Sequence, residues 1–120
     1  MWTNLPILYN MIVLVIKYLI PRGFRAITLF PFIFLSNAKD KDNQLLLHHE
    51  KIHLKQQIEL GILFFFLWYI VEFCINWFKL RDKQQAYHAI SFEQEAYENE
   101  TDLAYLKNRK RYAFVKYLKS

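Results

Sequence analysis

Apolar positions fall into blocks along the chain, separated by short polar stretches. Leu5 to Ile20 is almost wholly apolar, interrupted by Asn10 and Lys17 and ended by Pro21-Arg22-Gly23. Its roughly sixteen residues fall short of the ~20 that cross a bilayer upright. The segment is therefore expected as an apolar membrane-associating helix that spans with Lys17 reaching the headgroups or lies in the interface, or else as a buried core helix. It lacks the basic start and small-residue cleavage site of a removable signal peptide. From Arg25 to Ser36 the residues become β-branched and aromatic around Pro31, which predicts extended chain held to an edge strand or a bulge. Asn37 to Asn43 alternates lysine and aspartate and reads as a solvated turn that supplies the cap of the next helix. That long helix is predicted from Asp42 or Asn43 onward, with Gly61 as its one weak point at ~1 kcal/mol relative to alanine. Within it, Ile62 to Phe78 is apolar and aromatic except for Glu72 and Asn76. Leu80 to Ala89 reads as a connection, Ser91 as the cap of a helix running to about Arg109, and Tyr112 to Leu118 as a short amphipathic tail.

The fold class expected is mainly α (α+β), with one or two strands, in a single domain over residues 1–120, because 120 residues support one modest core. Hydrophobic residues make up 54% and aromatic residues 18%, which is greasy for so small a chain and points to a membrane or an oligomer interface. The net charge of +5 draws on Lys107, Arg109, Lys110, Arg111, Lys116 and Lys119, a cluster that suits anionic lipid headgroups better than nucleic acid, so no nucleic-acid partner is expected. Lysines and arginines flank Ile62 to Phe78 on both sides, and Glu72 is costly deep in lipid. This favours an interfacial, re-entrant or core helix over a simple crossing. Basic residues near Ile20 point to a cytoplasmic site. The single cysteine, Cys74, excludes an internal disulfide framework and is expected as a packed thiol.

Chemistry enters with His48-His49-Glu50-Lys51-Ile52-His53, which contains His-Glu-x-x-His. On a helix, His49 and His53 leave the same face and can bind one tetrahedral Zn²⁺, with Glu50 beside them to take a proton from a water held there. Catalytic zinc sites usually take three protein ligands, so one is missing. Phe92-Glu93-Gln94-Glu95-Ala96-Tyr97-Glu98-Asn99-Glu100 supplies carboxylates about forty residues on, within reach of a helical hairpin. Some of these glutamates also suit a solvated first turn of a helix.

These two stretches together resemble the gluzincin zinc metallopeptidases, in particular their small, membrane-associated members: His-Glu-x-x-His, then Gln56-Gln57, then Glu-x-Glu-Ala. The resemblance covers roughly residues 25–105 and implies a minimal zincin-like core of strand, active-site helix and glutamate helix. It implies Glu93 as third ligand and Glu50 as the catalytic base in peptide-bond hydrolysis. Glu95, about 200° from Glu93 around a helix, is the reserve ligand. Tyr97 stands where the family has an aspartate that steadies a ligating histidine, so that role passes to Glu95, Glu98, Glu100 or a backbone carbonyl.

Other residues carry weaker signals. His48 lies about 100° from His49 and is expected outside the ligand set or exposed. His88 suits an oxyanion contact, a replacement ligand or, more commonly, a surface position, and Tyr87, Tyr97 and Tyr105 suit either a hydrogen bond to a tetrahedral intermediate or, the better fit, core packing. Gln56 and Gln57 continue the face of His53. The expected function is a membrane-associated zinc metallopeptidase acting on a peptide or protein substrate aligned by the strand near Ile27 to Phe34. The alternatives are a non-catalytic membrane-associated zinc-binding interaction protein and a basic membrane-surface module without metal.

Overall fold

The structure is a computed structural model that describes residues 11–118. Residues 5–10 of the apolar N-terminal run lie outside that range. Its remainder is strand β1 (Ile12–Val15) followed by a 3₁₀ turn at Lys17–Leu19, in place of the expected helix. The reason is local and tertiary together: Ile12, Val13, Val15 and Ile16 are β-branched, and a neighbouring strand offers them a ladder. The Arg25–Ser36 stretch is likewise not one strand. It is a hairpin of β2 (Ala26–Leu29) and β3 (Phe32–Leu35), with Pro31 and a cis Phe30–Pro31 bond in the connection. The sheet order is β1-β3-β2, so β3 is central and only β2 is an edge of the kind expected. β1 runs parallel to β3, with Ile12 opposite Phe32, and β2 runs antiparallel to it, with Ala26 opposite Leu35.

A 3₁₀ turn at Ala38–Asp42 leads into α1 (Gln44–Leu60), whose N-cap is Asn43: its side-chain oxygen accepts from Leu46 N–H at 3.1 Å. The turn is not wholly solvated, since Asp40 is buried and accepts from Arg25 at 2.6 Å. Gly61 then ends the helix instead of continuing it. With φ +83° and ψ 145° it closes α1 and opens α2 (Ile62–Leu80) with no intervening loop. The expected connection after Leu80 contains a short helix, α3 (Lys83–His88), capped by Asp82. The acidic helix is shorter than predicted: α4 covers Ser91–Asn99, followed by α5 (Tyr105–Asn108) and a 3₁₀ turn at Ala113–Tyr117. A mainly helical chain with a small sheet is what the pattern of periods predicts.

Two apolar clusters hold these parts. Ile33, Leu35 and Leu54 join the sheet to α1, and Phe65, Ile90, Phe92 and Phe114 join α2, α4 and the C-terminal turn. Burying a side chain such as Phe114 is worth roughly 2–3 kcal/mol. α2 contributes only Phe65 to the buried set, and Leu63, Phe64, Leu67, Ile70, Val71 and Phe78 face outward. Its polar residues Tyr69, Glu72 and Asn76 turn inward. Glu72 accepts from Ser91 N–H (2.8 Å) and Ser91 Oγ (2.7 Å), so Ser91 is not the cap of α4; the carboxylate of α2 meets that helix terminus instead. Among the described residues α2 is a helix long and apolar enough to cross a membrane. Cys74 lies on its outer side and is exposed, not packed, because among the described residues the helix has no neighbour there. Arg109 leaves the expected basic patch altogether: its guanidinium is buried between Glu59 and Glu95, where two carboxylates compensate its charge.

Candidate metal centre

Helical spacing puts His49 and His53 one turn apart on the face of α1 that meets α4, and both rings are buried. On α4, Glu93 points at them. Its Oε1 lies 3.1 Å from His49 Nε2 and 3.2 Å from His53 Nε2. The outer ring nitrogens fix the tautomers. His49 Nδ1 donates to Glu100 Oε1 at 2.8 Å, and His53 Nδ1 donates to Gln56 Oε1 at 2.8 Å. In the neutral imidazoles both Nε2 atoms are then bare lone pairs, aimed at a carboxylate oxygen. With both rings neutral, three acceptors converge on one point, and a proton or a metal ion between them is what satisfies them.

The spacing suits a metal ion as well as a proton. Tetrahedral ligands at 2.0–2.1 Å from zinc stand about 3.3 Å apart, close to the two distances seen. His49, His53 and Glu93 form a group that could hold a metal ion, with all three ligand atoms within 4.8 Å of one another. No protein-family profile, curated protein or solved structure matches this chain.

The electrostatics agree with a cation site. Burial disfavours the Glu93 carboxylate, yet positive charge on His53 and the close approach of both imidazoles outweigh this and hold its pKa well below the usual carboxylate range. Burial also disfavours the His53 imidazolium, and Glu93 outweighs it there too, raising His53 to about 9. Glu93 Oε2, turned away from the histidines, accepts from Tyr69 Oη on α2 at 2.6 Å. Glu50 is buried on the same side of α1, where Thr28 Oγ1 on β2 donates to its Oε1 at 2.5 Å. A cavity of about 200 Å³ lies against Glu50, His53 and Glu93, walled by Phe24, Ala26, Thr28, Phe65, Phe66, Tyr69 and Tyr87.

The remaining expected residues separate cleanly. Glu95 is not at the centre: it is buried among Arg109, Gln56 and Tyr105, on the opposite side of α4 from Glu93, as the ~200° offset requires. Of the carboxylates weighed for steadying a histidine, Glu100 takes that position beside His49, and Tyr97 lays its ring edge-on against the same imidazole at 4.5 Å. Both glutamines are used, Gln56 on His53 and Gln57 on the hairpin. His48 is buried rather than exposed, with Nδ1 on the Glu100 carbonyl at 2.9 Å. His88 packs against Tyr97 at 4.7 Å and not among the three acceptors, and Tyr105 binds Glu95. Thr28 and Tyr69 went unread in the sequence. Tyr69 had a signal: with Glu72 and Asn76 it makes a polar stripe at helical spacing inside an apolar helix, which marks the face turned to the protein. Thr28 had none.

Proposed function

We propose that this protein is a membrane-associated zinc metallopeptidase of the gluzincin kind, with His49 Nε2, His53 Nε2 and Glu93 Oε1 as the residues that hold the metal. The observation that carries this reading is the meeting of three acceptors beside a buried carboxylate and an apolar cavity. Two nitrogens and one carboxylate oxygen suit zinc, and three protein ligands leave a position open. Zinc, when bound, supplies a Lewis acid that polarises a carbonyl and lowers the pKa of water toward 7. Glu50 accepts a proton from the attacking water and returns it to the leaving amine. Thr28 holds that carboxylate in place, and the β2 edge aligns an extended peptide beside it. Glu100, Gln56 and Tyr69 fix the orientation of the three ligands.

The outward face of α2, continued by Lys79, Arg81 and Lys83, supports contact with anionic lipid. Its Tyr69–Glu72–Asn76 stripe is held by the domain, so lipid meets the other side only.

Metal analysis and a peptide-cleavage assay test the proposal together. The native protein is expected to carry one zinc and to cleave peptides. Glu50→Gln is expected to keep the zinc and lose at least about 100-fold in kcat, whereas His49→Ala loses the zinc. Full activity in a zinc-loaded Glu50→Gln protein overturns the mechanism. A native protein that binds no metal overturns the whole reading. Zinc bound at full occupancy without cleavage of any peptide favours a binding protein.

A further inference from the structure

Ser36 N–H donates to Arg25 C=O at 3.0 Å, which makes Arg25 and Ser36 a hydrogen-bonded pair of the β2–β3 ladder. Bonded and non-bonded pairs alternate in an antiparallel ladder. Ile27 with Phe34 and Leu29 with Phe32 are therefore the bonded pairs, and the backbone groups of Ala26 and Thr28 point off the sheet. Among the described residues no strand of the sheet lies on that side. Part of the edge is nevertheless occupied. Gln57, one turn beyond His53 on α1, donates from Nε2 to Thr28 C=O at 2.8 Å and accepts at Oε1 from Phe30 N–H at 2.8 Å. A carbonyl and an N–H two residues apart are the pair that one residue of a parallel neighbouring strand would engage. The Gln57 amide, fully buried, stands in that residue's place opposite Leu29.

We propose that Gln57 is a specificity-determining residue that ends backbone pairing along the substrate edge, so that a bound peptide has a short reach on its N-terminal side. This rests on the peptidase reading above. Among the described residues, three outward groups remain for a peptide: N–H and C=O of Ala26 and N–H of Thr28. Ala26 and Thr28 line the same cavity as Glu50, His53 and Glu93. Glu50 is anchored on Thr28, so the bond to be cut lies beside Thr28, and the edge closes at that residue's own carbonyl. Antiparallel pairing, the stronger mode, runs a peptide with its N-terminal end toward Phe30 and its C-terminal end toward Ala26. The closed end therefore meets the residues before the cleaved bond. Beyond about two of them there is no backbone left to pair with.

The test titrates the zinc-loaded full chain with two sets of peptide hydroxamates, one lengthened residue by residue on the N-terminal side of the hydroxamate, the other on its C-terminal side. Affinity in the N-terminal set is expected to rise roughly three- to tenfold per paired residue and then stay flat beyond the second. Gln57→Ala, which removes the amide and empties the place that it fills, is expected to add a further rising step to that set, with zinc content unchanged. If that variant does not fold, the two native series decide alone. A steady rise through six N-terminal residues, or a plateau in the C-terminal set instead, overturns the role of Gln57 and leaves the peptidase reading standing. If no member of either set binds the zinc-loaded protein, the peptidase reading falls, and the proposal with it.

Discussion

His49 and His53 each commit the outer nitrogen to an acceptor, and that choice gives the inner nitrogens their metal-binding form. Removing the acceptor frees the ring to turn and to change tautomer. Glu100→Ala is therefore expected to weaken zinc binding about 10- to 100-fold with the helical content unchanged, measured by competition with a chromogenic chelator. Protons compete for the same lone pairs. Because Glu93 raises His53 to about 9, this imidazole carries a proton at neutral pH that a metal ion must displace. Zinc uptake at pH 7 is thus expected to release about one proton from His53, and apparent affinity rises with pH until the medium passes that pKa. Titration calorimetry in two buffers of different ionisation enthalpy measures the release; equal heats in both would contradict it.

At the scale of elements, Gly61 decides the architecture. A continuous helix from Asn43 to Phe78 would carry Phe65 and Tyr69 away from α4, whereas the break at Gly61 folds α2 back so that Tyr69 reaches Glu93 and Glu72 reaches Ser91. The backbone at φ +83° and ψ 145° lies close to a region used almost only by glycine. A Cβ there would meet nothing within 4 Å, so the cost of substitution is conformational. Gly61→Ala is expected to lower stability by about 1–3 kcal/mol, read from a shifted denaturation midpoint at unchanged slope.

At the scale of the molecule, the C-terminal residues close the domain and α2 faces outward. Arg109 ties them to α1 and α4 through Glu59 and Glu95, and Phe114 seats in the aromatic cluster. Among the described residues, one face of α2 carries a run of exposed apolar side chains. The protein is expected to float with vesicles containing anionic lipid, and a Leu67→Lys, Val71→Lys double variant to remain at the bottom of the gradient while keeping its fold, since both side chains are at least half exposed. Flotation of that variant equal to the parent would remove the lipid contact.

The sequence alone determined what depends on local periodicity: two histidines on one helical face, the acidic helix downstream, the turn and cap before α1, and the opposed directions of Glu93 and Glu95. These arise from 3.6 residues per turn and need no knowledge of neighbours. The tertiary structure decided what depends on distant partners. β1 is a strand because β3 lies beside it, a fact absent from Ile12–Val15 themselves, and the break at Gly61 is stabilised by contacts that α2 makes with distant partners, among them Tyr69 with Glu93 and Glu72 with Ser91. Arg109 is buried because two glutamates from other helices meet it. Thr28 could be assigned to Glu50 only once the hairpin was docked on α1, since a hydroxyl on a strand has no periodic signature of its partner.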